Sequence, residues 1–182
     1  MTAVRRMAAA AILVALTGIS AIPAPSAFAA APAETPAATD APFLTTIHQA
    51  NLAEIAAGED AGKNARAACV KSVGARIVRD HRKLDAGVIA LAAKLGVTLP
   101  AGLTTAQEED LAAIQAKAGT HAYDPSWLAD QATSHIQALA LIDTEVKTGG
   151  NAEVRAAAAA ARPVVATHLA LIRACEAEIG AS

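Results

Sequence analysis

Aromatic side chains are almost missing: one Trp, one Tyr and two Phe in 182 residues. With so few rings and a net charge of −2, nucleic acid is not an expected partner. Runs of β-branched and aromatic residues are also scarce, which argues against a sheet. There is no phosphate-binding loop. No nucleophile stands beside a base, since Ser134 and its neighbour His135 fall on different faces of one helical stretch. Cysteine is limited to Cys69 and Cys175. What the chain has in abundance is alanine, which supplies most of its 54% hydrophobic content. Alanine favours helix and lets helices approach closely.

The N-terminal segment carries its own pattern. Arg5 and Arg6 precede a short apolar run from Met7 to Ile19, and Ala27-Phe28-Ala29 matches a small-x-small cleavage site. Residues 1–29 are therefore expected to be a signal peptide, and the chain to be exported, secreted, periplasmic or held in the cell envelope. The apolar run is short for a membrane span, so no stable span is expected after cleavage. Residues 30–40, rich in Pro, Ala and Thr, form an expected flexible tether. Removing Arg5 and Arg6 from 15 basic residues leaves 13 against 17 acidic, a mature charge of −4. Residues 41–182 are one domain in length.

Four long helical patterns follow. The first runs from about Phe43 to Ala65, opened by Asp40-Ala41-Pro42. On a 100° wheel, Phe43, Leu44, Ile47 and Ile55 share a face with Asn51 and Glu54, and His48 sits at its edge. The second runs from about Cys69 to Leu95, with Asp80 and His81 flanking its apolar stripe; Gly96 and Pro100 end it. The third starts at Asp124 with Pro125 at its first position and carries His135 at the centre of its stripe. Gly149-Gly150 breaks it. The fourth runs from about Ala152 to Ile179, with His168 at the centre of its stripe. Between the second and third lies a long connection holding a shorter helix, about Thr105 to Lys117, with Glu108 placed for a capping box.

In an oxidising compartment an isolated cysteine pair is expected to bridge. Cys69 opens the second helix and Cys175 lies near the end of the fourth. In simple up-down-up-down order those ends would be about 35 Å apart at 1.5 Å per residue, yet a disulfide needs Cα atoms within about 7 Å. The bridge thus requires up-down-down-up order with a long crossover, the arrangement of ferritin-like bundles. In that order Glu54, His81 and His135 fall about 17 Å below the disulfide pole and His168 about one turn nearer it. All four face inward.

Glu54-Ile55, Asp80-His81, Tyr123-Asp124 with Leu128, His135, and Pro163 with His168-Leu169, together with Gly96-Val97-Thr98-Leu99-Pro100, resemble the family called domain of unknown function 4142. The resemblance spans Ala41 to about Ala174. It implies an exported bacterial protein with a ferritin-like fold, and it supplies no activity.

Ferritin-like di-iron proteins place Glu three residues before His. Here Val78 and Val165 occupy those positions, which disfavours a carboxylate-bridged di-iron centre. A single site of Glu54, His81, His135 and His168 remains, with Asp80 steadying an imidazole from behind. Such donors suit Zn, Cu, Ni or Fe as the expected cofactor. The competing class is a non-catalytic structural or interaction module, with the same residues forming a buried network that stabilises the bundle and an unidentified protein as partner. His121 falls in a loop and is expected to be exposed; His48 is expected to be peripheral.

Overall fold

The computed structural model describes residues 40–181. They form α1 (Asp40–Asn64), α2 (Ala68–Leu95), α3 (Thr105–Gln115), α4 (Tyr123–Thr148) and α5 (Ala152–Gly180), a helical bundle with no strand among the described residues. The expected signal peptide and the tether up to residue 39 lie outside the described residues. None of the described helices is long and apolar enough to cross a membrane.

α1 packs chiefly on α2, and α4 on α5; α3 lies over α1 and α4. The expected punctuation is largely where the physics puts it. Gly96 ends α2 with φ +68°, and Val97 N–H closes back on the Ala92 carbonyl at 2.9 Å. α3 opens with a capping box, but Thr104 is the cap, so the reciprocating residue is Gln107 rather than Glu108.

Two acidic residues do something the sequence patterns did not suggest. Asp40 belongs to the fold, not to the tether. It is fully buried, and its carboxylate accepts from Gly150 N–H and Asn151 N–H, both at 2.9 Å, just before α5. Asp124 accepts from Arg66 N–H at 3.0 Å and Ala67 N–H at 2.7 Å, just before α2. α4 starts one residue earlier than expected, so Pro125 is its third residue. Each acid thus satisfies orphan donors ahead of another helix. A disulfide joins Cys69 at the start of α2 to Cys175 near the end of α5, with Cα atoms 5.7 Å apart.

The core is split. One apolar cluster holds Val70, Ile77, Tyr123, Trp127, Leu128 and Ile172 beside the disulfide. The other holds Phe43, Leu44, Ile47, Ile142, Val154 and Val165. Fully burying each large side chain contributes about 1.5–3 kcal/mol. The polar residues Asn51, Glu54, His81, Gln131, His135 and His168 are buried too. They occupy the stretch of each helix between those that feed the two clusters.

A close seam between α1 and α2 sets the register of this layer. A Cβ on Gly58 would stand 2.7 Å from the Gly74 carbonyl oxygen, nearer than any real Cβ contact, so only glycine permits the approach. Asn51 lies seven residues before Gly58, and His81 seven after Gly74. The same antiparallel seam therefore sets Asn51 against His81.

Candidate metal centre

α2, α4 and α5 each bring one histidine to the polar layer. His81, His135 and His168 are all buried, at 3%, 1% and 0% exposure. Their ring centroids are 5.2–5.6 Å apart, and a ring nitrogen from each lies within 4.8 Å of the others. Three nitrogens bound tetrahedrally at 2.0–2.1 Å would be about 3.3 Å apart, so each nitrogen is within roughly 1 Å of a chelating position.

The hydrogen bonds decide which nitrogens are occupied. His81 donates from Nδ1 to Asn51 Oδ1 at 2.8 Å. His135 donates from Nδ1 to the Gln131 carbonyl at 2.8 Å. His168 donates from Nε2 to Asp80 Oδ2 at 3.1 Å. On each ring the other nitrogen is buried without a partner: His81 Nε2, His135 Nε2 and His168 Nδ1. A donating N–H on one side of a neutral imidazole leaves a lone pair on the other.

The electrostatics keep the rings neutral. Burial, with His135 and His168 nearby and against the pull of Asp80, pushes His81 down to about 3. Burial likewise lowers His135 to about 4, opposed by its bond to the Gln131 backbone. His168 is lowered by burial despite Asp80. Burial works to raise the Asp80 carboxyl, but the bonds from His168 and Arg76 outweigh it and hold the group at about 2. Asp80 therefore stays ionised beside the His168 ring.

Glu54 stands elsewhere. It is not part of the three-histidine group. Its Oε1 lies 3.8 Å from His135 Nδ1, the edge of the ring already committed to Gln131. Burial, then the neighbouring Asp130, push its carboxyl up to about 8 against a bond from Gln131, so it is largely protonated at neutral pH. The donor set is narrower than expected, three imidazoles without the carboxylate.

His48 is also not where its pattern suggested. It is buried at 6%, with Nδ1 2.7 Å from Asp85 Oδ1 and Nε2 3.1 Å from the Pro100 carbonyl oxygen. It ties the loop after α2 down onto α1. His121 is exposed, as expected. Two contributors had no assigned role beforehand. Asn51 lies on the inward arc of α1, where a buried amide calls for a partner. Gln131 reaches His135 through its backbone carbonyl, which leaves no mark in side-chain patterning.

A family model described as Domain of unknown function (DUF4142) matches residues 25–175. The chain belongs to the DUF4142 family. Of the residues that carried the resemblance, His81, His135 and His168 come together as three neighbouring rings in this DUF4142 chain, with Asp80 bonded to His168. The crystal structure of a DUF305 fragment from Deinococcus radiodurans is similar, with a TM-score of 0.67 and 15% identity, covering 82% of this chain and 100% of that one. At that identity the likeness concerns the fold alone. Among curated proteins none matches.

Proposed function

We propose that this DUF4142 protein is an exported helical bundle that binds one transition metal ion through His81, His135 and His168. The observation that carries the reading is the set of three idle nitrogens. Each ring is steadied from behind by an oxygen acceptor, which fixes its tautomer and leaves a lone pair unmatched. Protein metal sites hold their imidazoles in this way. Without an ion, each unmatched buried group costs about 1–3 kcal/mol. Three imidazoles suit Zn, Cu, Ni or Fe and leave coordination positions free for water or a further ligand.

The same reading takes the bundle as ferritin-like, in up-down-down-up order. Its supports are the Cys69–Cys175 bridge and the bonds of Asp40 and Asp124 to the segments before α5 and α2. Export is supported by the leader-like pattern of residues 1–29 and by a disulfide, which persists in oxidising compartments.

The test is metal content of the mature protein purified without chelator, beside His135→Leu and His168→Leu. Near-stoichiometric metal that both variants lose is the expected result. No bound metal, with no thermal shift on adding Zn, Cu, Ni or Fe, would overturn it and leave the histidines as a structural network.

A further inference from the structure

A small cleft of about 50 Å³ opens between α1, α3 and α4. Its lining includes Glu54, Gln107, Asp110, Asp130, Gln131 and Ser134, and no basic side chain. Asp110 is exposed and Asp130 half-buried, so the mouth is negative and wet. Deeper in, Glu54 and Gln131 are 6% and 1% exposed. Glu54 Oε2 and Gln131 Oε1 are buried there without a partner.

One residue of the triad stands directly behind two of the cleft's inner residues, Glu54 and Gln131. His135 Nδ1 donates to the Gln131 carbonyl and lies 3.8 Å from Glu54 Oε1. Its Nε2, across the ring, is one of the three idle nitrogens. His135 does not itself line the cleft; it touches two residues that do, Glu54 and Gln131, and belongs to the histidine cluster.

We propose that this cleft is the loading route by which a hydrated divalent transition-metal cation reaches the triad. Asp110 and Asp130 gather the cation; Glu54 and Gln131 offer oxygen ligands as its water is shed; His135 receives it. The inference rests on the triad being a metal site. The charge argument is general: a narrow cleft lined by one sign of charge raises the local concentration of the opposite ion and its association rate. Transit rather than storage follows from the spacing, because no three carboxylates among the described residues gather closely enough to hold an ion.

The experiment is stopped-flow binding of Co2+, read by its visible absorption, with release followed into excess chelator. The variant is Asp110→Asn/Asp130→Asn. The control is Asp143→Asn/Glu153→Gln, which removes the same charge from exposed surface ion pairs. At low ionic strength the cleft variant is expected to load about three- to tenfold more slowly, within the range of steering by charge. Release is expected to slow to the same extent, leaving the equilibrium affinity unchanged, while the control loads like the parent. In about 0.5 M salt the difference is expected to vanish. An unchanged loading rate, or equal slowing in the control, would overturn the route while leaving the triad as a site. Parent protein that gives no cobalt signal would overturn the triad and the route together. If the cleft variant does not fold, the parent serves: loading that does not depend on salt sinks the proposal.

Discussion

Two histidine environments lie side by side in this bundle, and they are built to opposite rules. His48 is buried with both ring nitrogens engaged, one on Asp85 and one on the Pro100 carbonyl. His81, His135 and His168 are equally buried, yet each leaves one nitrogen idle. Burial is the same, so burial does not separate them. Satisfaction does. A fully bonded buried group is architecture, whereas an unmatched lone pair on each of three neighbouring rings is an expense that a purely structural network would avoid.

Breaking each environment in turn should expose the contrast. His48→Ala leaves the Asp85 carboxylate buried with only the long 3.5 Å bond from Asn51, and a loss of about 3–5 kcal/mol is expected in urea unfolding, with metal stoichiometry unchanged in whatever remains folded. Removing the bridge by Cys69→Ser/Cys175→Ser is expected to cost about 2–4 kcal/mol; an unaltered unfolding midpoint would show that the bridge does not matter to stability. His135→Leu should do the reverse of His48→Ala. It swaps a half-satisfied polar group for an apolar one, so the metal-free protein should lie within about 1 kcal/mol of the parent or above it, while metal binding is lost. Unfolding of the metal-free variant as severe as that of His48→Ala would erase the distinction between the two environments.

The smallest effect concerns a third buried polar group, Glu145. Burial, then a bond and repulsion from Asp40, raise its carboxyl from 4.5 to about 7, opposed by Arg155. The folded protein holds this proton more tightly than the unfolded chain. The stabilisation is therefore fully present below pH 4.5 and is lost as the pH rises through 7. The melting temperature should decline modestly over that window. Glu145→Gln should flatten the decline, and an identical profile in the variant would rule out this residue as its source.

Most of the helical framework was legible beforehand because its signals are local. Gly96, the Gly149-Gly150 break and the period of the apolar stripes each act within a few residues. The inward direction of His81, His135 and His168 was legible for the same reason. The fate of Glu54 was not. A helical wheel shows that a side chain faces the core, but not which edge of a neighbouring ring it meets, and here it meets the occupied edge of His135. His48 was misjudged because its partners, Asp85 and Pro100, lie 37 and 52 residues away. Asp40 and Asp124 look like caps for their own helices and instead serve the segments before α5 and α2. No local rule carries that exchange.

The exchange bears on how the chain folds. Asp40 reaches partners 110 and 111 residues later, and Cys69 reaches Cys175 across 106. The first waits for the segment just before α5 and the second for α5 itself. Hairpins such as α1–α2 can form early, but the ends of the molecule cannot lock until nearly the whole chain is available. Contacts of such long sequence separation slow folding and keep the nascent chain open. A chain cut before Ala152 would lose the partner of Cys69, one wall of the triad and much of both apolar clusters at once. Completion of the bundle is thus tied to the arrival of its last helix.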